Sequence, residues 1–226
     1  MSKKLTVLGT NTSGATAQAA VVRGTEVLSN KSDDTPFAQE RMLEQLVAAA
    51  LKEAGASLKT IDGVAACIGP GSLTGSRLAL AAARAYKVAL GTPVVGVNSL
   101  EALAMPLLKP ERLVVAAVDA RRGEVYAAAF RDGQIPVEVA PPQRCKPEEL
   151  IKLAAGAEAI FAGDGVLRYR NALPAGAEIA APELCIVSAA CIALIGEARL
   201  KERPEGDSFV DLTPLYLRRS DRELRL

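Results

Sequence analysis

One pattern occurs twice along this chain, and the repetition restricts its fold more than any single motif does. From Leu5 to Asn30 the sequence reads as an apolar strand (LTVLGT), a polar turn (NTSGA), a second strand (TAQAAVV), a tight RGTE turn and a third short strand (VLS). After a polar loop, QERMLEQLVAAALKEAG spaces Leu43, Leu46, Val47, Ala50 and Leu51 along one helical face, and Gly55 stands where the helix would close. A strand (IDGVAACIG), a glycine-rich loop and an alanine-rich helix follow. The order then returns: RLVVAAVDA, an RRG turn, EVYAAAF, a tight RDGQ turn, IPVEVA, a helix KPEELIKLAAG with proline in its first turn, and EAIFAGDG as a strand running into a glycine loop. Asn11 answers Asp119 and Arg23-Gly24 answers Asp132-Gly133, an offset of about 108 residues that a duplicated supersecondary unit requires.

Three strands, a helix, a strand and a helix, twice over, predict an α/β protein of two βββαβα lobes with a cleft between them, a duplicated actin-like (ASKHA, RNase H-like) fold. The first lobe is expected over residues 1–105 and the second over 106–226, with the late helix VSAACIALIGEARLKE a candidate to pack back on the first lobe and the tail DLTPLYLRRSD after it. At 226 residues, half of them hydrophobic, the chain can bury a full core.

Composition removes several functions. Lys+Arg 27 against Asp+Glu 26 leaves a net charge of +1, so the surface as a whole is a poor electrostatic trap for nucleic acid. The chain has no histidine, which takes away the commonest general base, the commonest zinc ligand and the usual partner of a nucleophilic serine. No catalytic residue and no metal ligand is therefore assigned. Cys67, Cys145, Cys185 and Cys191 fall at spacings that match neither a zinc site nor a disulfide framework, and are expected to be reduced. MSKKLTVLGTNTSG reaches Asn, Thr and Ser before a signal-length apolar run develops, and no later segment is a membrane span; a cytoplasmic protein is expected.

The loop GPGSLTG is not a standard phosphate cradle. A Walker A loop sets four residues between its glycines and ends in Lys-Ser/Thr; here Gly71 and Gly75 are separated by three residues, Gly69 and Gly75 by five, and Arg77 stands at the wrong offset. The dinucleotide fingerprint fails as well, because Thr74 occupies its third glycine position. What remains is a strand-to-helix turn with Thr74 as N-cap, either a plain turn or, through Gly71, Ser72 and Thr74, a contact for an anion at the helix start.

The helix behind the loop is more informative. At 100° per residue Ser76, Arg77, Arg84 and Lys87 gather on one side, while Leu78, Ala79, Ala81, Ala82, Ala83, Ala85, Tyr86, Val88, Ala89 and Leu90 fill an arc of roughly 220°. A helix lying on its own sheet needs an apolar stripe only a little over 100° wide. The excess is covered either between the two lobes or by another subunit, and alanines favour the second by letting backbones approach closely. In the second lobe Asp119, Arg121, Arg122 and Glu124 form a charged turn: a solvated hairpin with a local ion pair, or a contact in the cleft or on an RNA path.

With these segments assembled, the chain resembles the TsaB (YeaZ) family. GPGSLTGSRLAL (Gly69–Leu80) is similar to the family's GPGSFTGxRIG stretch, VNSLEALA (Val97–Ala104) to its next strand and helix start, DARRGEVYAAAF (Asp119–Phe130) to its DARxGEVY segment, and PLYLRRSD (Pro214–Asp221) to its PxYLR element. The resemblance implies a non-catalytic subunit that supports threonylcarbamoyl transfer to the tRNA adenosine beside the anticodon. It implies docking onto a TsaD-like catalytic subunit, with a TsaE-like ATPase, through Arg77, Leu78, Ala81, Ala82, Ala85, Val88 and Ala89. It also implies a homodimer when the chain is alone, ATP and magnesium used by the complex but not bound tightly by this chain, tRNA met only through the complex, and no membrane. Two departures bear on chemistry. The first turn reads NTS where the family has DTA or DTS, so Asn11 replaces the acid that places metal and phosphates in actin-like ATPases; and AQE (Ala38–Glu40) stands where the family has an HTQ-like element. A metallopeptidase or an autonomous actin-like ATPase is disfavoured on these grounds.

Overall fold

The computed structural model describes residues 3–35 and 39–217, so Ala38 of the AQE element and Arg218–Asp221 of the PLYLRRSD segment lie outside the described residues. The chain divides into two units, Met1–Ala102 with Val187–Pro214 and Leu103–Ile186 with Leu215–Leu226. In the first unit β1 (Thr6–Asn11), β2 (Ala17–Arg23) and β3 (Glu26–Asp33) form an antiparallel meander, and β4 (Gly63–Gly69) and β5 (Val94–Asn98) join parallel to β1 in the order β3-β2-β1-β4-β5. Helix α1 (Gln39–Glu53) packs on β2 and β3, and α2 (Leu73–Leu90) packs chiefly on β4. After the short α3 (Ser99–Ala104) come β6 (Leu113–Arg121), β7 (Glu124–Arg131), β8 (Val137–Cys145), α4 (Leu150–Leu153), β9 (Ala159–Ala162), α5 (Asp164–Arg168) and β10 (Glu178–Ile179). The second sheet, β10-β9-β6-β7-β8, repeats the first strand for strand when read from the other edge.

The alternation of side chains in β1, β2 and β4 explains why this sheet takes helices on both faces. Leu8, Val21, Val64 and Ala66 share a core with Leu43, Val47 and Ala50 of α1 and with Leu80, Ala83 and Tyr86 of α2. The intervening positions Gly9, Ala20 and Ala65 meet α6 (Ala189–Glu202), which belongs to the first unit and runs close to the backbone at Ala189, Ala193 and Gly196. Ser188 caps α6 by accepting from the Ala190 amide.

Three expectations need correction. Each sheet has a fifth strand, β5 or β10, beyond the four in the repeated pattern. The segment KPEELIKLAAG holds only one turn of 3-10 helix, Pro147–Glu149, and the four-residue α4, because Ala155 and Gly156 both turn to positive φ and end it. The counterpart of the eighteen-residue α2 is the five-residue α5, so the two repeats share their strands and differ in their helices. The third strand of the second sheet runs on through Pro141 and Pro142, which an edge strand tolerates because prolines there need no ladder donor.

The edge of β5 is closed by the chain itself. The Asp207 amide donates to Val94 O at 2.7 Å, the Gly96 amide donates to Asp207 Oδ2 at 2.8 Å, and Arg199 Nη1 donates to Gly96 O at 2.6 Å. A sheet edge covered in this way cannot template another strand.

Candidate functional site

The glycine loop exists because of what it touches. Its first contact is the turn after β1: the Ser72 amide donates to Ser13 O at 2.7 Å, and the Thr12 hydroxyl donates to Gly75 O at 2.6 Å. A Cβ at Gly75 would stand 1.7 Å from Thr12 O, and one at Gly71 2.4 Å from Ser13 O, so only glycine admits this approach. The helix start is capped by Ser72, whose side chain accepts from the Gly75 amide at 3.2 Å, and Thr74 sits exposed inside the first turn; the expected N-cap is thus corrected by two positions.

The turn itself is buried and internally bonded. Asn11 is 1 % exposed; its Oδ1 accepts from the Ser13 amide and hydroxyl, and its Nδ2 donates to Val187 O at 3.0 Å. The Ser13 hydroxyl also accepts from Cys67 Sγ. Burial pushes the Cys67 thiol up, against its hydrogen bonds with Ser13 and the Gly69 backbone; burial and the charges of Glu149 and Glu124 push Cys145 to about 11. All four cysteines are free thiols. Among the described residues no group of three His, Cys, Asp or Glu side chains is placed to hold a metal ion.

On α2 the sequence-predicted residues separate into two sides. Gly75, Ser76, Ala79, Leu80, Ala83 and Tyr86 face the core. Arg77, Ala81, Ala85, Val88 and Ala89 are exposed, with Val88 at 75 %, and Leu78 and Ala82 are half-buried. An exposed strip dominated by small and apolar side chains therefore runs the length of the helix. The side expected to be simply polar is occupied: Arg84 Nη2 donates to Phe209 O and Leu212 O, and Lys87 Nζ donates to Glu205 O at 3.3 Å and lies 5.9 Å from the centre of the Phe209 ring. Residues Glu205–Leu212 thus lie along that flank, a placement the sequence pattern gave no sign of. Tyr86 ties α2 to α1 by donating to the Glu44 carboxylate at 3.1 Å. Ala48 and Ala49 of α1 are exposed too.

In the second unit Asp119 repeats the turn of Asn11. Its Oδ1 accepts from the Arg121 amide at 2.9 Å, two residues on, as Asn11 Oδ1 does from Ser13. Its carboxylate also accepts from the Tyr169 hydroxyl at 3.2 Å and pairs with Arg121 Nη1 at 3.4 Å and Arg168 Nη1 at 3.6 Å. Asp164 takes the Asp119 amide at 3.0 Å; burial and the neighbouring Asp119 raise its carboxyl pKa. The sequence pattern singled out Asp119 and Arg121, and missed Arg168 and Tyr169 because α5 brings them in from about fifty residues away.

The comparisons agree with this architecture. Residues 38–194 match the model of the TsaD family, tRNA N6-adenosine threonylcarbamoyltransferase. An uncharacterized protein of Mycobacterium tuberculosis is 39% identical over 130 residues, 57% of this chain and 60% of that protein, so the chain spans only about 60% of the length of this relative. The crystal structure of YeaZ from Pseudomonas aeruginosa superposes with a TM-score of 0.79 at 26% identity, covering 94% of this chain and all (100%) of that one. Component A of the (R)-2-hydroxyglutaryl-CoA dehydratase of Acidaminococcus fermentans, at TM-score 0.51 and 11% identity over 86% of this chain and 98% of that one, shares the fold alone. Two five-stranded sheets of one topology, matched to these neighbours, make this a duplicated actin-like fold, and the chain belongs to the TsaD family, on its TsaB (YeaZ) side.

Proposed function

We propose that this protein is a non-catalytic docking subunit of a complex that forms threonylcarbamoyladenosine in tRNA. The observation that carries this reading is the outer strip of α2, in which Ala81, Ala85, Val88 and Ala89 are exposed and Leu78 and Ala82 half-buried, flanked by Arg77. Alanines along one helix let a second helix approach closely, and burying an apolar strip of this kind is the dominant gain in association. The partner is a TsaD-like catalytic subunit, joined by a TsaE-like ATPase; without it, a second copy of the chain covers the same strip by two-fold symmetry. The Asn11–Ser13 turn supports a passive role, because its amide and hydroxyl groups are spent on Val187, Gly75 and each other instead of being offered to a nucleotide. The chain is accordingly proposed to bind no ATP or magnesium tightly and to meet tRNA as part of the complex.

Reconstitution tests this. Threonylcarbamoylation of tRNA by the catalytic subunit and the ATPase is expected to require the present chain, while the chain alone modifies no tRNA. Modification at the same rate without it, or by it alone, contradicts the proposal.

A further inference from the structure

We infer that the tip of the β6–β7 hairpin, with Arg168 of α5, is a phosphate-recognition site for an RNA backbone. The inference deepens the proposed function, and rests on it for the choice of RNA over a free phosphate compound. The two copies of the repeated turn supply the argument. In the first unit Asn11 spends its second polar atom on Val187 O, and the turn is buried. In the second unit the side chain of Asp119 is covered too, at 6 % exposure, but its ion-pair partners are two guanidinium groups whose own side chains are 77 % and 57 % exposed.

One carboxylate cannot occupy two guanidiniums. Each carries five N–H donors in a planar fork, and the contacts of Arg121 and Arg168 with Asp119 Oδ2, at 3.4 and 3.6 Å, use one edge of each. Both side chains are otherwise largely exposed, so donors beyond these contacts are open to solvent. Arg168 is held further by the Tyr169 ring, 5.7 Å away, and Tyr169 in turn donates to Asp119 Oδ1. Arg122 is exposed at the same tip.

The backbone gives an independent sign. Arg121 and Arg122 both have positive φ, 63° and 57°, where glycine is the usual residue. With Gly123 at 74° the turn could hold glycine or asparagine at these positions at less cost, yet it presents two arginines there. A strained loop that projects cationic forks, braced from below by a buried carboxylate, is suited to the planar, bidentate recognition of phosphate oxygens.

The test is a titration of the full chain, assembled with the TsaD-like catalytic subunit, with a fluorescein-labelled anticodon-arm RNA hairpin at several salt concentrations. Arg121→Ala and Arg168→Ala are each expected to weaken binding about tenfold and to lower the slope of log affinity against log salt by about one. Tyr169→Phe, which keeps every charge but frees Asp119, is expected to weaken binding less and leave the slope unchanged. RNA binding that is absent at low salt, or that keeps the natural protein's affinity and slope in both arginine variants, overturns the inference. So does saturation by ATP or inorganic phosphate in place of the RNA. Assembly with the catalytic subunit, measured on the same variants, separates the two ideas: it is expected to survive Arg121→Ala, and its loss in every variant with RNA binding intact would count against the docking proposal alone.

Discussion

Asn11 shows how one side-chain atom fixes what a turn can be used for. An aspartate there would keep the bond from the Ser13 amide but would point an anion at Val187 O, where the amide now donates at 3.0 Å. Asn11→Asp is therefore expected to cost about 2–4 kcal/mol at neutral pH, the penalty of an unpaired charged group in a buried site. The sign with pH follows from burial. The new carboxyl would have a folded-state pKa above its unfolded value, and when protonated it can donate to Val187 O. Stability would thus be retained in acid and lost as pH rises through the folded value. Urea unfolding at two pH values measures this, and a loss that does not grow with pH would contradict the assignment of the Asn11–Val187 bond. In this chain the Asn11 amide ties the turn to the segment leading into α6.

Among the elements, the glycine loop and α2 act as one unit, positioned by the β1 turn. Gly75→Ala places a methyl group 1.7 Å from Thr12 O and is expected to destabilise the fold by about 3 kcal/mol. Gly55→Ala, where φ is +62° but no atom lies within 4 Å, is expected to cost about 1 kcal/mol. Equal costs, measured by denaturant unfolding, would mean that the close approach does not hold the loop. Much of this level was legible in the sequence. Alternation marked the meanders, the offset of Asn11 and Asp119 marked the duplication, and the width of the apolar arc on α2 marked a face that its own sheet does not cover. What the sequence did not give was set by contacts between distant residues: Ser72 as N-cap follows from the loop's seat on Ser13, the shortness of α4 from the positive φ at Ala155, and the polar flank of α2 from its contact with Glu205–Leu212. None of these leaves a periodic trace.

Within the molecule as a whole, α2 is structural on one side and outward-facing on another. Ala79, Ala83 and Tyr86 pack in the core of the first unit, while Ala81, Ala85 and Val88 are exposed, on the strip proposed to meet a second protein. A substitution on the outer strip should consequently separate assembly from folding. The most direct measurement is the affinity of the full chain for the TsaD-like catalytic subunit, with light scattering on the chain alone, comparing the natural protein with Ala85→Glu. A glutamate buried without a partner in that contact is expected to weaken association by at least about a hundredfold and to leave the chain monomeric, with its unfolding midpoint unchanged. Unaltered affinity and unaltered mass for Ala85→Glu would show that this face of α2 is not where the partner binds.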